Sequence, residues 1–308
     1  MGILDPLYWV VSGVMVFIHR ALSPVFGETS GVTWTLSIMG LVLLIRTLLI
    51  PLFVKQIKSQ RALTALSPEM KKIQQKYKDD RQKQSEELMK LYKTHKTNPL
   101  SSCFPILAQA PIFFALFTVL NGIGKNPPQA RGTFTPELAQ QAAEAKFLGA
   151  PISETFLGSG NLTTQIVTVF LIALMSLTTF TTQRQLMVKG MPKMDTSNNM
   201  MLQQQKILLY LFPIIFAVTG VNFPVGVLIY WSTTNLWTWG QQYYVIKRNP
   251  TPGSPAFEEL ERKKAKKKGE TLPPDGVEGN TIERENPGAT EIKGQRNQPK
   301  KKKKKKKP

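Results

Sequence analysis

Arg46 is the one charged residue in the 22-residue run Thr33 to Val54, TWTLSIMGLVLLIRTLLIPLFV. At about 1.5 Å rise per residue, that run is long enough to cross the hydrocarbon core of a bilayer. A lone arginine near the middle of a spanning helix costs roughly 2.5–3.5 kcal/mol on insertion scales. Two readings accommodate that cost. The guanidinium meets water, a polar wall or a polar client inside the membrane, which makes it a functional group. Alternatively it snorkels toward the headgroups near Lys55, nine residues further on. The chemistry on offer is electrostatic recognition, not bond making.

No other constellation competes with it. The chain has one cysteine and two isolated histidines, His19 and His95, so neither a disulfide framework nor a metal cluster is expected. No phosphate-binding glycine loop and no Ser/His/Asp spacing is present. An enzyme is not expected, and neither is a cofactor.

The residues around Arg46 decide what must hold it. The chain has 308 residues and a formal net charge of +20. Its mean hydropathy of −0.15 averages a very apolar body with a polar, basic tail. Five segments are apolar enough to span: about 33–54, 101–124, 162–182, 206–222 and 224–245. The last two are separated by little more than Val221-Asn222-Phe223-Pro224, so they form a tight helical hairpin. Pro51 ends the first span and would free the carbonyl of Thr47, which predicts a kink beside Arg46. Pro105, Pro111 and Pro213 interrupt later spans, as neighbouring membrane helices permit.

Loop charge orients the spans. Segment 55–98 carries twelve Lys/Arg against five Asp/Glu, segment 183–206 carries four Lys/Arg, and the chain from Lys247 onward carries nineteen. Segment 125–161 carries three and residues 1–32 carry only Arg20. This alternation fits an N-terminus outside and a C-terminus in the cytoplasm. The expectation is an all-α polytopic membrane protein with five transmembrane helices.

Three flanking pieces complete the plan. Residues 7–22 put Tyr8, Ser12, His19 and Ser23 on one helical face and Leu7, Val10, Val11, Val14 and Phe17 opposite. This reads as an interfacial amphipathic helix on the outer surface, within an extracytoplasmic segment 1–32. A sixth span or an uncleaved signal sequence is the alternative. There is no basic n-region and no clear A-x-A site, so a cleaved signal is not expected. Segment 55–98 reads as a cytoplasmic helical hairpin, with Ser67-Pro68-Glu69 opening one helix and Asp79-Asp80 turning the chain. Met70, Ile73 and Tyr77 would face Leu88, Leu91 and Tyr92 along its seam. Residues 249–308 read as a disordered lysine-rich cytoplasmic tail ending in eight lysines, Lys300 to Lys307. That tail suits anionic lipid or the phosphates of ribosomal RNA equally.

Three stretches resemble the YidC/Oxa/Alb family of membrane protein insertases. They are LLIRTLLIPLFVKQ (43–56), the long hairpin-and-span run 70–117 through Asn98-Pro99-Leu100, and FPIIFAVTGVNFPVGVLIYWSTTNLWTWGQQ (212–242). The likeness covers about residues 30–248 in the same order, and suits the short bacterial form with an actinobacterial-like lysine tail. It implies an insertase core over 33–248 in which five helices surround a hydrophilic groove open to cytoplasm and lipid. The groove arginine matches Arg46, and further groove or client-binding positions match Gln109, Gln183, Tyr230 and Trp231. Thr178, Thr179, Thr181 and Thr182 read better as helix-packing residues than as groove walls. Cys103 reads as a packing residue, not a lipid attachment site. The resemblance also implies its partners: nascent membrane proteins, the ribosome, the Sec translocon and anionic lipid, at the bacterial cell membrane. A small anion channel or transporter using Arg46 as its anion site is the alternative function.

Overall fold

The computed structural model describes residues 4–95, 97–98, 104–190 and 200–268. Within them the chain is almost wholly helical. Helix α1 (Asp5–Phe26) leads through a short turn into α2 (Gly31–Leu48) and α3 (Ile50–Ala65). The hairpin α4 (Ser67–Lys76) and α5 (Arg81–Thr94) precedes α6 (Phe104–Ile123). A small module follows, with α7 (Pro136–Glu144) and the strand pair β1 (Lys146–Phe147) and β2 (Ala150–Pro151). Then come α8 (Leu162–Gln185) with a π-turn at Leu186–Gly190, α9 (Met200–Gly220), α10 (Val225–Arg248) and α11 (Pro255–Lys268).

Each of the five predicted spans is helical in its described part. Among the described residues, Asp5–Phe26, Gly31–Leu48 and Leu162–Gly190 are long and apolar enough to cross a membrane by length and composition. Helix α10 packs against α8, α2 and α6, and α8 also packs against α9. Side chains such as Ile166, Phe170, Ile214 and Val218 stand exposed on α8 and α9. An apolar exterior over a packed interior is what a lipid solvent selects. The predicted kink is present. The helix breaks at Leu49, two residues before Pro51, and resumes as α3 with the Phe53 amide bonded to the Leu49 carbonyl at 3.1 Å.

The module between α6 and α8 closes one end of the bundle. Trp34, Ile38, Leu116, Val119, Val225 and Leu228 are buried together with Ala139, Ala142 and Ile152 of the module. Backbone meets backbone at this seam. The amides of Val225 and Gly226, in the first turn of α10, donate to the carbonyls of Glu154 (2.9 Å) and Ile152 (2.8 Å). Those amides have no partner inside their own helix, so the module caps it.

Helix α1 buries the face expected to be wet. Ser12 and His19 are fully enclosed, while Trp9 and Phe17 are 59% and 72% exposed. The reason is non-local. The Thr133 amide donates to Ser12 Oγ at 2.9 Å, and His19 Nε2 lies 2.8 Å from the Glu28 carbonyl oxygen. The His19 ring also sits 4.0 Å from Trp34 between centroids. Buried polar groups with partners are tolerated, and of the opposite face Val10 and Phe17 stand outward while Val11 is buried and Leu7 and Val14 pack on the core.

Two local expectations shift. Ser67 lies inside α4 and Leu66 holds its cap position, without a side-chain cap. The cap of α5 is Asp80, which accepts from the Lys83 amide at 3.0 Å. The hairpin seam forms as expected, with the Tyr92 hydroxyl 3.7 Å from Met70 Sδ. The second shift concerns the tail. Disorder was expected throughout 249–308, but Pro255–Lys268 is helix α11, packed on the π-turn and α10. Composition alone missed its local support. Pro255 opens it, the Phe257 amide donates to Ser254 Oγ at 3.3 Å, and Lys263–Glu259 and Lys264–Glu261 pair one turn apart. Residues 269–308, including Lys300 to Lys307, lie outside the described residues, as does Cys103.

Candidate functional site

Arg46 lies in the last turn of α2, 8% exposed. No carboxylate among the described residues pairs with it. Its guanidinium carbon stands 5.6 Å from the Phe53 ring centroid, across the break at Leu49. It also interacts electrostatically with the Tyr230 hydroxyl of α10. A quadrupolar ring and a phenol soften the cost of a buried cation but leave most of its donors open.

Tyr230 is itself 6% exposed, and Trp231 follows it on α10. Trp231 lies parallel to Phe113 of α6, 6.1 Å between centroids and 7° between planes. Its edges meet Phe223 at 4.9 Å and Phe216 at 6.0 Å. Adjacent residues on a helix point about 100° apart, yet Tyr230 also reaches Phe113, 6.3 Å between centroids, so the two share that ring. Trp231 belongs to an aromatic cluster that ties α6, α9 and α10 together.

Gln183 lies in neither place. It lines a polar recess of about 230 Å³ with Thr179 and Thr182 of α8, Asn235 and Thr238 of α10, and Phe216. Asn235 Nδ2 donates to Thr179 Oγ1 at 3.3 Å. Gln109 is half-buried on α6, one turn before Phe113, and no hydrogen bond or ring contact ties it to the other four among the described residues. The structure thus brings Arg46 and Tyr230 together, sets Trp231 beside them on an aromatic wall, and places Gln183 in a separate recess.

Asn235 and Thr238 were missed as site residues, and Thr179 and Thr182 were taken for packing groups. A signal existed for the first pair. The run Ser232-Thr233-Thr234-Asn235 interrupts an otherwise apolar helix, and polar residues inside a span are functional candidates. Thr178, Thr181 and Thr182 do bond back to carbonyls of their own helix, as packing threonines do. No group of three or more metal-ligating side chains occurs among the described residues.

The arrangement defines a helical multi-pass membrane protein whose bundle holds a permanent charge and several polar side chains against its apolar grain. Residues 25–252 match the model of the family described as 60Kd inner membrane protein. The chain belongs to that family. It is 54% identical over 255 residues to the membrane protein insertase YidC of Streptomyces avermitilis, covering 80% of this chain and 59% of that relative. It is 38% identical over 279 residues to the YidC insertase of Tropheryma whipplei, covering 85% and 89%. The YidC insertase of Bifidobacterium longum is 31% identical over 274 residues, covering 85% and 80%. The chain therefore spans well under two thirds of the Streptomyces relative but most of the other two.

Proposed function

We propose that this protein is a membrane protein insertase and chaperone that moves a short polar segment of a client across the bilayer and releases the client's apolar helix sideways into lipid. The observation that carries this reading is Arg46: buried, unpaired with any described carboxylate, and set within an apolar helix. A client's acidic or polar residues would be attracted to the guanidinium and spared part of their desolvation cost. Tyr230, Trp231, Gln109 and Gln183 would line the path. The apolar burial of the client helix drives the step without nucleotide or cofactor.

In this reading the helices α2–α3, α6, α8, α9 and α10 form a five-span core, with the N-terminus outside and the C-terminus in the cytoplasm. Segment 1–32 lies on the outer face, the hairpin 55–98 is cytoplasmic, and the basic tail extends from α11. The charge alternation along the loops supports that orientation. The partners are nascent membrane proteins, the ribosome, anionic lipid and the Sec translocon.

The test is site-specific crosslinking from position 46 to a stalled nascent membrane protein. Adducts are expected while the client's translocated segment is short, and lost when the client is released. Absence of adducts at 46, with adducts forming from a neighbouring lipid-facing position such as 44, would remove Arg46 from the client path. An anion-flux assay in liposomes separates an anion channel, which would conduct without any client.

A further inference from the structure

A slot of about 610 Å³ opens between α3 and the second half of α10, away from Arg46. Its walls are apolar: Phe53, Val54 and Ile57 on one side, Leu236, Trp237 and Tyr244 on the other. Arg61 and Asn249 line it at one end. Arg61 donates through Nη2 to the Asn249 carbonyl, while its Nε is buried without a hydrogen-bond partner. No carboxylate pairs with Arg61 among the described residues, and burial pulls its pKa below the ordinary guanidinium value. A buried donor on a cation that lacks a counter-charge is costly to leave unsatisfied.

We propose that this slot holds one anionic phospholipid of the cytoplasmic leaflet, with its phosphate on Arg61 and an acyl chain between α3 and α10. Three features select that occupant. The first is polarity: Arg61, late in α3, and Asn249, just after α10, form the cationic end through their hydrogen bond, while Ile50, Phe53, Val54 and Leu236 supply apolar lining. The second is length. Ile50 to Arg61 covers eleven steps, about 16 Å at helical rise, which is room for most of an acyl chain. The third is charge, since Arg61 offers a planar fork suited to phosphate. The direction of the slot relative to the membrane rests on the orientation proposed above; binding itself does not.

The test uses the full-length protein in detergent, titrated with phospholipids brominated on the acyl chains. The readout is the quenching of Trp237, taken as the difference between the wild type and Trp237→Phe. Phosphatidylglycerol is expected to saturate that quenching at lower concentration than phosphatidylcholine. Arg61→Gln should raise the half-saturating phosphatidylglycerol concentration about tenfold, the worth of one charge-assisted hydrogen bond, and raise the phosphatidylcholine value less, because the choline cation offsets its phosphate. Gly240 supplies an independent plug. A Cβ there would meet nothing within 4 Å, so Gly240→Leu starts without a clash at Cβ, narrows the slot and should weaken quenching by both lipids.

Identical phosphatidylglycerol curves in wild type and Arg61→Gln would overturn the proposal, as would full quenching in Gly240→Leu. Displacement of the lipid by inorganic phosphate alone would reduce the slot to an anion site and overturn the lipid reading. Displacement by an apolar client helix at equal concentration would assign the slot to clients instead. None of these readouts depends on insertion activity, so the lipid proposal and the insertase proposal fail separately.

Discussion

The Arg46 guanidinium sits over the ring of Phe53, 5.6 Å from its centroid, and the helix break at Leu49 lies between them. The contact bridges α2 and α3 at the kink. Phe53 also lines the α3–α10 slot. Removing either partner therefore alters both surfaces, which sharpens the mutational expectations.

Arg46→Ala should lower insertion of clients with acidic translocated segments by at least tenfold, if one charge-assisted contact of about 1.5–3 kcal/mol is lost. Arg46→Lys should keep part of the activity, since the charge remains while the planar stacking on Phe53 is lost. Insertion into proteoliposomes is the measurement. Undiminished insertion of every client in Arg46→Ala would refute an essential charge at this site.

Arg46→Leu should raise thermal stability while lowering insertion. An apolar residue in place of a buried, unpaired charge is worth about 1–3 kcal/mol. Thermal unfolding of the purified protein decides the matter. A lower midpoint for Arg46→Leu would show that the guanidinium serves a structural partner.

Topology can be read by cysteine labelling in a Cys103→Ser background. A label at residue 140 should react from outside the cell, and labels at residues 80 and 290 only from the cytoplasm. Residue 5 should also react from outside if α1 lies across the outer face. Cytoplasmic reactivity at residue 5, with the others as stated, makes α1 a sixth span.

The tail separates into two functional pieces. Truncation after Lys268 keeps α11 docked and should remove most ribosome co-sedimentation at low salt. The intact protein should lose co-sedimentation steeply as salt rises, with a slope near −0.7 per neutralised single-strand phosphate in log K against log salt. Full co-sedimentation by the truncated protein would shift the contact to the hairpin α4–α5.

Gly31→Ala tests the module. A Cβ at Gly31 would overlap the backbone carbonyl of Lys146, so β1 or α2 has to move. Overpacking of this kind costs about 1–3 kcal/mol. The unfolding midpoint should fall accordingly, and an unchanged midpoint would mean the α2–β1 contact is slack.

Much of this architecture was legible from the chain, and the failures share a cause. The helical segments, the kink before Pro51 and the hairpin seam at Met70 and Tyr92 depend on local pattern, which periodicity and proline chemistry expose. The buried face of α1 was not legible, because Ser12 is satisfied by Thr133, more than a hundred residues away. Helix α11 was hidden by its charged composition, although its ion pairs are local. Within the candidate site, Arg46 announced itself as a charge in an apolar run. That Tyr230 and Trp231 share Phe113, and that Phe216 joins Trp231 to the Gln183 recess, needed the angles at which α10 meets its neighbours.

The backbone bonds from Val225 and Gly226 to Glu154 and Ile152 clamp one end of α10, where glycines at 124 and 226 allow close approach. A rod held at one end bends most at the other. Deflection near the clamp stays small however far the distant end is displaced. The bundle can thus change width at the far end of α10 while the clamped end keeps a constant cross-section. Amide exchange should be slowest at Val225 and Gly226, whose amides make the clamp, and should quicken along α10 toward Arg248.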